Sequence, residues 1–150
     1  MTAATGTDIA IAWDTLNCRG DWAVANNQLL LGNPLVSAIM VSLFTDRVAP
    51  PDWIGDDPKG WWGDSYEQEP IGSWLWLLRR AVKSDASALL VQAQNYSVSA
   101  LQWLIDDGVV ASVTVNTAWI GKTALGIIIT VAPPAGASQT FAFSWAWTGL

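Results

Sequence analysis

The stretch Phe44–Ala81, FTDRVAPPDWIGDDPKGWWGDSYEQEPIGSWLWLLRRA, decides how the rest of the chain must fold. It places five of the eleven tryptophans and seven of the thirteen carboxylates in one connection between apolar segments, beside Pro50, Pro51, Pro58 and Pro70 and among Gly55, Gly60, Gly63 and Gly72. Disordered linkers are poor in aromatics, and long structureless inserts are rare inside compact domains. Residues 46–72 therefore read as an ordered loop that presents a surface. Tryptophan supplies the means: at about 25 cal/mol per Å² of apolar area removed from water, a few indoles can pin a loop that has no ladder of its own. Thr45, Asp46 and Arg47 come where the apolar segment before them ends, and an arginine there can bond the last helical carbonyls or fork onto a carboxylate. Pro50 and Pro51 forbid further helix. Residue types alone are equally compatible with a core-capping loop and with an interaction surface carrying Gly60, Trp61, Trp62, Gly63 and Asp64.

Outward from the loop, the flanking segments are helical. Asn33 before Pro34 is a helix start, and Leu35, Val36, Ile39, Met40, Leu43 and Phe44 recur with helical period over residues 34–45. Ser73 predicts a cap on a short helix, Trp74–Val82, whose Arg79, Arg80 and Lys83 suit the negative pole of its C-terminus. Ser84 predicts a cap on a longer helix, about Asp85–Ile105, with Leu89, Ala93, Ala100, Leu101 and Leu104 on one stripe. Asp106 and Asp107 then sit at that helix's own negative end, which is unfavourable unless a cation answers them; Arg47 and Arg79 are the candidates. Gly108 stops the helix.

At the N-terminus, Ile9, Ile11 and Trp13 alternate with alanines as a strand, the polar turn Asp14–Asp21 follows, and Trp22–Leu31 returns as a second strand broken at Asn26 and Asn27. Asp8, Asp14 and Asp21 surround this turn with a spacing that matches no calcium loop. At the other end, Val109–Trp119, Lys122–Ala132 and Gln139–Trp147 alternate as three strands of an antiparallel meander. One face carries Val113, Val115, Leu125, Ile127, Ile129, Val131, Phe141, Phe143, Trp145 and Trp147; the other carries small residues such as Ser112, Thr114, Gly126, Ala142 and Ser144. The expected fold is α+β: one domain, residues 1–150, with an N-terminal hairpin and a C-terminal meander packed against about three helices, and a flexible start at 1–7.

Charge narrows the function. From Gly108 onward, Lys122 is the one charged side chain, so a free sheet edge would lack the charges that keep strands from pairing with neighbours. Three helices cover one face of a sheet and leave its other face and edges open. Such a chain suits burial in an assembly better than life as a free monomer. A formal charge of −6 disfavours a nucleic-acid partner. The apolar runs Leu35–Phe44 and Leu125–Ala135 are too short or too interrupted to span a bilayer, and the start MTAATGTDIA has neither the basic nor the apolar part of a leader, which predicts assembly in the cytoplasm. Cys18 has no second cysteine to pair with, and the chain has no histidine. That removes the usual activated nucleophiles, the commonest general base and the commonest transition-metal ligand, so no catalytic, cofactor or metal site is expected. Two other functions use the same residues. A glycan hydrolase would draw on Asp56 and Asp57 or Asp64 and Glu67, but acids on an open loop keep ordinary pKa values. A carbohydrate-binding module would use Trp61 and Trp62 as sugar platforms.

The order LFTDR, GWWGD, IGSWLWLLRRA and ALQWLIDDGV resembles the baseplate wedge proteins of Mu-like contractile phages, over about Asp8 to Trp147. GWWGD together with LWLLRR is specific. More distantly the chain is similar to the sheath-initiating wedge proteins of other contractile tails and of type VI secretion, which carry an acidic-arginine pair after their first core helix. Asp46 and Arg47 stand in that place, whereas Trp74 stands where a basic residue is expected after Gly72-Ser73. The resemblance implies a structural subunit of a contractile injection system, present in several copies around the tail tube, contacting other wedge proteins and the sheath.

Overall fold

The computed structural model describes residues 8–17, 19–80, 86–122 and 124–146. The expectations for residues 1–7, Cys18, Lys83, Ser84, Asp85 and Trp147 lie outside them.

The N-terminal part is a junction of three short antiparallel ribbons rather than one hairpin. Strand β1 (Asp8–Ile9) pairs with β6 (Leu31–Gly32), β2 (Ile11–Asp14) with β3 (Arg19–Trp22), and β4 (Val24–Ala25) with β5 (Gln28–Leu29). The expected strand Trp22–Leu31 is thus corrected. Asn26 and Asn27 both have positive φ, 51° and 59°, and reverse the chain as a two-residue hairpin turn instead of merely interrupting a strand. A ring of three backbone hydrogen bonds closes the junction: Ala10 donates to Leu30, Leu30 to Ala23 and Ala23 to Ala10, at 2.8 to 2.9 Å. Every ribbon is too short to stand alone in water, and this closure is what joins them.

Helix α1 runs Pro34–Phe44, with the Asn33 side chain accepting from the Leu35 amide as the sequence predicts. Helix α2 runs Ala86–Asp106. Between them lie two 3-10 turns, Trp62–Tyr66 and Leu75–Arg80. The described residues therefore hold two α-helices, not about three, because the segment expected as a helix at Trp74–Val82 is wound as a tighter 3-10 turn over its described part.

The C-terminal sheet has the order β7 (Ser112–Ile120), β8 (Ala124–Ala132), β9 (Gln139–Ala146), antiparallel throughout. Leu125, Ile127, Ile129 and Val131 of the central strand are buried, along with Val115 and Phe143, on the face that alternation predicts. One core joins this face to Ile39, Met40 and Leu43 of α1 and to Leu89, Ala93, Ala100, Leu101 and Leu104 of α2. Three serines sit buried in the helices, each with its hydroxyl bonded: Ser42 to the Ala38 carbonyl and Ser97 to the Ala93 carbonyl, one turn back, and Ser37 to the Ile9 carbonyl of β1.

The edges of this sheet are partly occupied by uncharged groups. On β7, Gln94 of α2 donates to the Val115 carbonyl at 2.9 Å and Thr117 donates to the Leu90 carbonyl at 2.8 Å. On β9, the Trp13 indole donates to the Ser144 carbonyl at 2.7 Å, while its ring stacks on Phe44 at 3.7 Å, which in turn meets Phe143 edge-on at 5.7 Å. The opposite face stays open: Thr114, Asn116, Ala118, Ile120, Ile128 and Ala142 are exposed on it. Among the described residues no helix is long and apolar enough to cross a membrane.

Candidate functional site

Thr45 to Leu75 form a loop hung on the end of α1. Asp46 and Ser73 make an isolated parallel bridge. The Arg47 amide donates to the Ser73 carbonyl at 3.1 Å and the Ser73 amide to the Thr45 carbonyl at 3.0 Å, so the two ends of the loop are clamped together. The Ser73 hydroxyl donates to the Leu43 carbonyl and accepts from the Leu75 amide, satisfying one helix end and starting the next turn. Gly72 makes the clamp possible: at φ +100°, a Cβ there would fall 2.3 Å from the Thr45 carbonyl oxygen.

Two indoles take the place of a ladder. Trp76, 6% exposed, donates to the Arg47 carbonyl, and Trp74 donates to the Val48 carbonyl, each at 2.9 Å. Trp53 packs edge-on against Trp76 at 5.2 Å. Further along, Gly60 donates to the Asp46 carbonyl at 3.2 Å, Ala49 to Pro58 at 2.7 Å and Trp53 to Pro50 at 3.0 Å. The pinning role expected of tryptophan thus belongs to Trp53, Trp74 and Trp76. Trp61 and Trp62 face outward, 42% and 75% exposed, and lie against each other at 5.3 Å. Gly63 is buried beneath the Trp61 ring.

The structure gathers some of the expected residues and separates others. Arg47, Trp61, Asp64, Asp106 and Asp107 line one cavity of about 750 Å³ between the loop and the end of α2, with Glu67, Glu69 and Trp103. Arg47 does share a cavity with the two aspartates at the end of α2, but its nearest carboxylate is Glu69 at 3.9 Å, and its guanidinium lies 5.5 Å over the Trp74 ring. Asp106 accepts instead from Gln102, at 2.9 Å. Arg79 lines a different cavity, of about 300 Å³, with Asp46, Trp13, Phe44 and Trp61. Phe143 is core, and Trp145 of β9 pairs in register with Leu125 of β8.

Residue types gave no hint of Trp103, whose indole donates to the Ser42 hydroxyl at 2.9 Å while its ring stays 41% exposed in the large cavity. Nor did they point to the apolar pocket of about 380 Å³ under the N-terminal ribbons, lined by Ile11, Trp13, Trp22, Met40 and Phe44. The alternation of Ile11 and Trp13 was the available signal.

Electrostatics single out Asp46. Although the residue reaches solvent, the surrounding loop withdraws its carboxyl from water and pushes it above the ordinary carboxylate range, against the smaller opposing pulls of Lys59 and Arg79. Asp14 goes the other way: the Asn17 side chain and the backbone amides of Asn17 and Leu16 bond its carboxylate and hold it low, in the turn between β2 and β3. Among the described residues no three acidic, cysteine or histidine side chains converge closely enough to hold a metal ion. What the arrangement offers is a rigid loop with outward aromatic faces beside an acidic groove.

Residues 35–138 match the family described as phage protein GP46. The chain is 38% identical over 149 residues to the baseplate protein gp46 of Escherichia phage Mu, an alignment that covers 96% of this chain and 99% of that protein. It is 40% identical over 142 residues to the Mu-like prophage FluMu protein gp46 of Haemophilus influenzae, covering 92% of this chain and 97% of the relative.

Proposed function

The chain belongs to the phage protein GP46 family, and from that premise we propose that it is a structural wedge subunit of a contractile-tail baseplate, a virion component on which the sheath begins to assemble. Several copies stand around the tail tube and contact other wedge proteins and the sheath. The 46–72 loop and the open side of the C-terminal sheet are the contact surfaces of a single wedge domain, and no reaction is involved.

The observation that carries this reading is the sheet face bearing Ile120, Ile128, Ala118 and Ala142, exposed and without a charged side chain. A sheet face that stays in water commonly alternates to polar side chains, and on this one Thr114 and Asn116 are polar while Ile120 and Ile128 are not. A subunit that is covered on assembly gains from leaving the face bare, because each apolar side chain buried by a neighbour adds to the contact. The loop supports the same reading: its fold is fixed by Trp53, Trp74 and Trp76, which leaves Trp61 and Trp62 as preorganised anchors of the kind that dominate protein interfaces.

Co-expression with tube, sheath and other baseplate proteins of the same phage tests the proposal. The expected result is a soluble complex containing this chain in place of a loosely associating one. A chain that stays monodisperse at high concentration and enters no such complex would overturn it.

A further inference from the structure

We infer that the groove between the loop and the end of α2 receives an arginine-bearing segment of a neighbouring protein, with Asp106, Asp107 and Asp64 taking the charge and Trp61 and Trp103 the flat faces of the guanidinium groups. This rests on the reading of the chain as a subunit assembled among other proteins, and adds the chemistry of one partner.

Three observations converge. The groove holds about 750 Å³, enough for several side chains rather than one, and has exposed indole on both walls, Trp61 from the loop and Trp103 from α2. Its charge is one-sided: Asp64, Glu67, Glu69, Asp106 and Asp107 line it against Arg47, which is already placed beside Glu69 and over Trp74. The negative pole of α2 points the same way, and that helix has no basic residue in its last turn. Third, Asp64 is half-used. Its Oδ1 accepts from the Ile71 amide at 3.0 Å, whereas Oδ2 is buried with no donor. A buried carboxylate oxygen without a donor is unfavourable, and it marks Asp64 as the least satisfied of the carboxylates that line the groove.

The spread of the carboxylates decides what the occupant is. No three of them converge, so a metal ion finds no cage, while a segment carrying several cations can meet them one after another. Arginine fits better than lysine because its planar fork bonds a carboxylate through two N–H groups and also stacks on indole, both of which this groove provides.

The test titrates an oligo-arginine peptide into the purified full chain labelled at the tryptophan indole nitrogens, with oligo-lysine and oligo-glutamate peptides of equal length as controls. The expected result is a saturable shift of the Trp103 and Trp61 indole signals with oligo-arginine, weaker with oligo-lysine, absent with oligo-glutamate and diminished by salt. The double variant Asp106→Asn/Asp107→Asn, both exposed positions, should bind about tenfold more weakly. A control double variant far from the groove, Asp14→Asn/Asp21→Asn, should change affinity by no more than about twofold. Equal losses in the two variants, equal binding of oligo-lysine, or unmoved Trp103 and Trp61 signals in the parent chain would overturn the inference. The parent titration stands even if a variant fails to fold. Because it uses the chain alone, its failure leaves the baseplate role standing, and failure of that role would leave a positive titration intact.

Discussion

The indole of Trp76 donates to the backbone carbonyl of Arg47 at 2.9 Å, across 29 residues of sequence. This bond joins the two ends of the loop at a point where the Trp76 ring is buried and Trp53 packs on it, so it is shielded from water. Trp76→Phe keeps an aromatic ring but orphans that carbonyl. It should cost about 1–3 kcal/mol, seen as a lower Tm, and should open residues 46–72 to limited proteolysis. An unchanged cleavage pattern would show that the bond does not hold the loop.

Gly72 and Gly108 both have positive φ, but they differ in surroundings: a Cβ at Gly72 meets the Thr45 carbonyl, while one at Gly108 meets nothing within 4 Å. Gly108→Ala should therefore cost only the backbone strain, about 1 kcal/mol. Gly72→Ala must also break the clamp between Thr45 and Ser73 and should exceed about 3 kcal/mol. Chemical denaturation of both variants measures the difference.

Asp46 makes stability depend on pH in a direction opposite to most aspartates. Its carboxyl is raised above the ordinary 3.8 on folding, so the folded chain binds that proton more tightly than the unfolded chain. The stabilising contribution is complete below pH 3.8 and is lost as pH rises through the raised value. At neutral pH Asp46→Asn should melt higher than the parent, with the gap closing as pH falls toward 3.8. A lower melting temperature for the variant at neutral pH would contradict this sign.

Trp62 is 75% exposed, so its removal leaves no cavity. Trp62→Ala should change stability by less than about 0.5 kcal/mol yet abolish the assembly of infective particles. Normal particles from that variant would take the loop out of the interface.

Ile128 stands on the open sheet face, 43% exposed. Ile128→Lys supplies the gatekeeper charge that the strand lacks, so the chain should fold and become more soluble while losing its place in the baseplate complex. Co-purification with the partner proteins measures this.

Much of the fold was legible because the governing rules are local. Period two placed Leu125, Ile127, Ile129 and Val131 on the buried face of the sheet, and Asn33 before Pro34 fixed the start of α1. The N-terminal junction was not legible. Whether Trp22–Leu31 is one interrupted strand or two ribbons depends on hydrogen bonds among Ala10, Ala23 and Leu30, and alanine and leucine carry no signal for those. The candidate site was legible in part. GWWGD marked the exposed pair Trp61 and Trp62, but nothing in the spelling separated them from Trp74 and Trp76, whose roles are opposite.

The chain by itself determined the alternating strands, the capped helices, the absence of histidine and the scarcity of charge after Gly108, since these follow from residue type and short-range spacing. Tertiary structure alone decided that Arg47 turns to Glu69 and Trp74, that the Trp103 indole reaches Ser42 of α1, and that one side of the sheet stays bare. Those are contacts between segments far apart in sequence. Their energies depend on distance and on the exclusion of water, which arise only once the whole core has closed.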